Sequence, residues 1–190
     1  KEQYRCSDNE IRSCQIAKYF IVGKIFNSRS VLERAKRDHP MSFDIQSLKE
    51  ISSSLLRLAK EARKCCDLDS LRGYEGEAAS LYFSVFDHLI LQNKKIFSFK
   101  QRMKRPPKDS VNALLSFCYT ILANDCASAL EAVGLDAYVG FLHRDRPGRI
   151  SLALDLMEEL RSIYADRFVL TLINNRKINA SAFERQENGA

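Results

Sequence analysis

A C-x-x-C pair is missing from this sequence, although it holds six cysteines: Cys6, Cys14, Cys65, Cys66, Cys118 and Cys126. Their spacing gives no support to a zinc site. No apolar run approaches the roughly 20 residues needed to span a bilayer, the longest being broken by Lys, Asn or Asp. Nor does the start, at Lys1, carry the charged, apolar and small-residue regions of a signal peptide. Without one a disulfide framework is not expected, so the cysteines read as structural thiols. The location these absences predict is the cytoplasm, with no membrane partner. Strand-like alternation is scarce, and neither an internal repeat nor a low-complexity tract is found.

What is present suits one domain with a sizeable core: 190 residues, 45% hydrophobic and 28% charged. The net charge of +6 favours an anionic partner. Its distribution is more specific. Lys94, Lys95, Lys100, Arg102, Lys104, Arg105 and Lys108 follow one another with no acidic residue between them. Such a run is either a solvated loop or a set of phosphate contacts. Pro106 and Pro107 break helix and sheet alike there.

Elsewhere apolar residues recur at helical spacing, which predicts an all-α fold. Ser7 and Glu10 read as a capping box opening a helix to about Arg37, with Pro40 as a stop. Further helices are expected from Phe43 to Lys64, from Asp69 or Ser70 to about Gln92, and from Asp109 or Ser110 to about Val133. Gly134 stands where a helix C-terminus favours glycine. Tyr138 to His143 reads as extended. Ser151 is expected to cap a helix to Arg161, and a last helix covers Tyr164 to Asn174.

Three places break the pattern. Leu71, Tyr74, Ala78, Tyr82, Val85, Phe86 and Leu89 share one helix face; Glu75 falls inside it and Glu77 well outside. A carboxylate on an apolar face must be paired, protonated or bound to a cation, and Arg72 is a ready partner. The segment HRDRPGRISLALDLMEE, from His143 to Glu159, places Asp155 and Glu158 on the flank of a core-facing stripe, with His143 upstream. Mixed nitrogen and oxygen donors of this kind suit magnesium or manganese, although acids on a helix flank are more often only solvated. Asn112, Ser116 and Tyr119 form a polar stripe on an apolar helix, read first as packing.

Taken in order, LRGYEGEAASLYF (Leu71–Phe83), PPKDSVNALLSFCYTIL (Pro106–Leu122) and GFLHRDRPGRISLALDLMEELR (Gly140–Arg161) resemble the signatures of the CRISPR adaptation integrases, the first-numbered Cas family. The branch that accompanies type I-C systems is the most similar. The resemblance implies a divalent-metal-dependent endonuclease and integrase, using Mg²⁺ or Mn²⁺, that inserts captured DNA into the CRISPR repeat array. It implies Glu75, His143 and Glu158 as catalytic metal ligands, Asp155 as a further acid beside the metal, and Arg146 and Arg149 as backbone or phosphate contacts. Lys104 and Arg105 are expected at DNA. A shared ion requires the three ligand side chains to end within roughly 3–6 Å of one another.

Family members begin with a β-strand domain that mediates dimerisation, which nothing at the start of this chain supplies. The 190 residues therefore read as a single helical catalytic domain, a fragment of a longer protein that forms a homodimer and joins the small second-numbered Cas protein on DNA. The alternative is a basic helical DNA-binding module without catalysis. A helical di-metal oxidoreductase is disfavoured, since its paired Glu-x-x-His motifs are absent.

Overall fold

The computed structural model describes residues 1–40, 45–104, 106–143 and 146–184. Seven α-helices and short 3₁₀ and π turns make up its regular structure, and no strand occurs among the described residues. The all-α expectation holds.

Helix α1 (Glu2–Ser7) is short, and α2 (Glu10–Asp38) is the axis of the domain. The anticipated capping box does not form. Asn9 caps α2 by accepting from the Arg12 N–H at 3.0 Å, and Ser7 ends α1 with its hydroxyl donating to the Gly140 carbonyl. Helix α2 buries Cys14, Ala17, Ile21, Ile25, Val31 and Leu32 along one stripe. Helix α3 (Ile45–Lys64) and α4 (Leu68–Ser84) pack against it, as does α6 (Ser151–Leu160).

The cap of α4 is Asp67, whose carboxylate accepts from the Ser70 N–H. This helix stops at Ser84, short of the expected Gln92, and a 3₁₀ turn at Phe86–Leu89 follows. Packing explains the early end. Phe86 turns inward to join Tyr82, Phe83 and Phe99, the Phe86 and Phe99 ring centroids lying 5.0 Å apart. Aromatic clusters of this kind prefer such tilted and edge-on contacts.

Helix α5 (Ser110–Ala132) is capped by Asp109, as expected, and Gly134 follows it with φ of +77°. It is long and apolar enough to cross a membrane by composition, but Val111, Leu114, Leu115, Cys118 and Tyr119 are buried in the domain core. Residues Tyr138 to His143 form turns and bends rather than a strand. Ser151 is the first residue of α6, and Ile150 stands at the cap position. A π turn over Ser162–Asp166 then leads into α7 (Arg167–Asn174).

Candidate active site

Helix α4 projects Glu75 toward α2 and Glu77 away from it, as about 100° per residue requires. The Glu77 carboxylate is half in solvent and pairs with Arg57 at 3.3 Å. Glu75 instead meets the ammonium of Lys24. Arg72 is not its partner, because that guanidinium pairs with Asp69 and donates to the Leu142 carbonyl.

Lys24 is 8% exposed and lies on the buried stripe of α2 between Ile21 and Ile25. Its Nζ also reaches Glu158 Oε2 at 2.6 Å. One ammonium thus joins carboxylates from α4 and α6. Glu158 Oε1 faces the Arg161 guanidinium at 2.9 Å. Burial raises the proton affinity of Glu158, but the charges of Lys24 and Arg161 outweigh it and bring the pKa to about 2. His143 makes a smaller contribution in the same direction.

Asp155 has a different place from Glu158, although both sit on α6. It is fully buried, and its Oδ2 accepts from the N–H groups of Phe141 and Leu142 at 2.6 and 2.9 Å. Its Oδ1 accepts from the His143 N–H at 3.0 Å and meets His143 Nδ1 at 2.6 Å. Because a carboxylate only accepts, Nδ1 carries a proton, and in the neutral imidazole the lone pair is on Nε2. A histidine oriented this way is prepared to bind a metal through Nε2. Gly140 makes the close turn possible, since a Cβ there would stand 2.8 Å from Ser151 Cβ and 3.0 Å from Asp155 Oδ2.

Beside Glu75 opens a cleft of about 450 Å³, lined among others by Lys24, Lys100, Arg102, Lys104, Tyr119 and Arg161. Five cations and one carboxylate face it. Lys104 is exposed at its edge; partial desolvation, then the nearby Arg161 and Lys24 charges, hold its ammonium below the usual range. Arg102 donates to Asn112 Oδ1 at 2.7 Å and to Ser116 Oγ at 3.0 Å. Asn112, fully buried, also holds the Met103 N–H and the Gln101 carbonyl. The basic segment is therefore anchored through Arg102, Phe97 and Phe99, while Lys94, Lys95, Lys100, Lys104 and Lys108 stay exposed, Lys94 pairing with Asp87.

The polar stripe on α5 is what docks it. The Tyr119 ring is flanked by Arg102 and Arg161, at 5.2 and 4.9 Å from its centroid. The Tyr119 hydroxyl donates to Asp166 Oδ1 at 2.6 Å. Burial raises the Asp166 pKa to about 6, against the opposing pull of Tyr119, Arg161 and Arg102.

Lys24, Arg161 and Asp166 were not singled out from the sequence. For Lys24 the signal existed: it interrupts the apolar stripe of α2 as Glu75 interrupts that of α4. Arg146 and Arg149 lie in the turn before α6, the first exposed and the second half-buried, with the Arg149 N–H donating to the Arg146 carbonyl. Arg105 falls outside the described residues.

Glu75, Glu158 and His143 suit a divalent ion in donor chemistry, and two features of the geometry agree. A cation, the Lys24 ammonium, already bridges two of the three. Glu158 Oε2 is buried with no hydrogen bond of good geometry despite its ion pair. Among the described residues no three His, Cys, Asp or Glu side chains are arranged to hold an ion.

Acidic and imidazole side chains on a helical frame thus lie beside a cleft of excess positive charge. The family described as CRISPR associated protein Cas1 matches residues 1–190. The chain is 48% identical over its whole length to CRISPR-associated endonuclease Cas1 1 of Chlorobaculum tepidum, of which it spans 55%. It is 51% identical to CRISPR-associated endonuclease Cas1 2 of Rhodospirillum rubrum, again over its whole length and 56% of that protein. Among solved structures, a casposase bound to its integration product superposes with a TM-score of 0.83 at 30% identity, over 98% of this chain and 50% of that one. A Cas6-RT-Cas1–Cas2 complex gives 0.84 at 29% identity, over 99% of this chain and 20% of that one. This chain belongs to the Cas1 family. It spans little more than half the length of these curated relatives.

Proposed function

We propose that this domain is the catalytic part of a divalent-metal-dependent DNA endonuclease and integrase of CRISPR adaptation, inserting captured DNA into the repeat array by phosphodiester transfer. One observation carries the reading: carboxylates from two helices converge on a single cation beside a strongly basic cleft. The names of the relatives, endonucleases, and a similar structure holding an integration product support it.

Glu75, His143 and Glu158 would hold the ion, Mg²⁺ or Mn²⁺, with Asp155 orienting the histidine. When bound, such an ion stabilises charge on the phosphoryl and leaving oxygens and acidifies an attacking hydroxyl. Lys100, Arg102 and Lys104 are positioned to hold the phosphodiester backbone in the cleft, and Arg161 keeps Glu158 ionised. The site needs no protein nucleophile; an attacking DNA 3′-hydroxyl gives joining and an attacking water gives cleavage. In the longer protein this domain acts in a homodimer, bridged by Cas2, on protospacer and repeat DNA in the cytoplasm. The structural likeness to a Cas1–Cas2 complex supports that partnership. A type I-C-like system is the context that the sequence motifs favour.

A second reading is a DNA-binding module without catalysis, favoured by Lys24, which already pairs with both carboxylates. Paired variants separate the two. Glu75→Gln keeps the shape, loses the charge, and should abolish metal-dependent integration by the intact protein. Glu77→Gln, altering a carboxylate half in solvent, should leave activity within a few-fold. Undiminished integration by Glu75→Gln would remove the metal mechanism.

A further inference from the structure

We propose that Lys24 is a built-in competitor for the divalent ion, released from the two carboxylates when nucleic-acid phosphate fills the neighbouring cleft. The proposal rests on the metal site assigned above and adds a coupling between metal and DNA.

The geometry makes competition unavoidable. The ammonium lies at ion-pair distance from Glu75 Oε1 and Glu158 Oε2, the same class of oxygen a hard divalent cation requires. Two cations cannot share these oxygens without strong mutual repulsion, least of all at a side chain only 8% exposed. These carboxylates are the ion-pair partners of Lys24 among the described residues.

An alternative position for the ammonium is close at hand. Lys24 lines the basic cleft together with Lys100, Arg102, Lys104 and Arg161. Its four-carbon stem is flexible, and turning it would carry the charge from the carboxylates toward the cleft. Apart from Glu75, already its partner, the charged groups lining the cleft are cations, which give the ammonium no reason to turn that way. A phosphodiester held there reverses the balance. It gives Lys24 an anionic partner and frees Glu75 and Glu158 for the ion. DNA should therefore tighten metal binding, and by linkage metal should tighten DNA binding by the same factor. The device ties assembly of a reactive centre to the presence of substrate.

The test is Mn²⁺ binding by the intact protein, followed by electron paramagnetic resonance of free Mn²⁺. It is run with and without a short DNA duplex, corrected for Mn²⁺ held by the duplex alone. Without DNA, Lys24→Gln should bind Mn²⁺ about tenfold or more tightly than wild type, since the competing charge is gone. Lys24→Arg, which keeps the charge, should not. The duplex should tighten Mn²⁺ binding in wild type and do so far less in Lys24→Gln. Equal or weaker Mn²⁺ binding by a folded Lys24→Gln overturns the proposal. So does a wild-type affinity indifferent to DNA, an arm that stands even if Lys24→Gln does not fold. Glu75→Gln separates the levels: if it leaves Mn²⁺ binding intact, the metal site itself is misassigned. If it abolishes binding while Lys24→Gln changes nothing, only the competitor role fails.

Discussion

Replacing Asp155 with asparagine should weaken the domain far more than a one-atom change suggests. The carboxylate accepts the N–H groups of Phe141 and Leu142 on one oxygen, and the N–H and Nδ1–H of His143 on the other. An amide can present an acceptor on one side only. Whichever way it turns, two donors face an NH₂ group in a fully buried place. A buried donor left without its acceptor costs about 1–3 kcal/mol, so the loss is about 4 kcal/mol. In a domain of this size that corresponds to a fall in melting temperature of roughly 10 °C. Thermal and urea unfolding followed by circular dichroism measure it. Orientation of His143 through Asp155 further predicts that Mn²⁺ affinity drops, even at temperatures where the variant is folded. A stability loss under about 1 kcal/mol would mean that the four bonds are not made together, since each ordinarily contributes that much alone. The role given to Asp155 would then be wrong.

Stability should also depend on pH through Asp166, whose pKa is raised by burial to about 6. The folded state binds that proton more tightly than the unfolded chain, so the Asp166 contribution favours folding at low pH and is lost as pH rises through the range from about 4 to 6. Asp166→Asn should flatten that part of the stability profile, as read by urea titration, and an unchanged slope would refute the assignment. At the cleft, Lys100→Ala combined with Lys104→Ala should weaken duplex binding without regard to sequence. It should reduce the slope of log affinity against log salt by about one for each phosphate no longer neutralised; an identical slope would remove the cleft from the DNA path.

Much of this protein follows from short-range pattern. Helical periodicity made the all-α fold legible, and Asp109, Gly134 and the phase separating Glu75 from Glu77 depend only on neighbours within a turn or two. Where the outcome depended on distant partners, local pattern was insufficient. Helix α4 ends at Ser84 because Phe86 packs into a ring cluster with Phe99, and Asn9 rather than Ser7 caps α2, the Ser7 hydroxyl being engaged by Gly140. That the basic run between Lys94 and Lys108 is anchored at Arg102 by Asn112 and Ser116 of α5, while its lysines stay exposed, was not legible from local pattern.

At the site the division is sharper. A charge inside an apolar stripe must have a partner, and that principle marks Glu75 from the sequence alone. It does not name the partner. Only the packing of α2 against α4 and α6 could choose Lys24 over Arg72 for Glu75, and could separate Asp155, enclosed by backbone N–H groups, from Glu158, open to an ammonium. The two acids are three residues apart on one helix and nearly equivalent in pattern. Their surroundings differ because electrostatic partners are set by distance in space, which the order of residues along a chain does not contain.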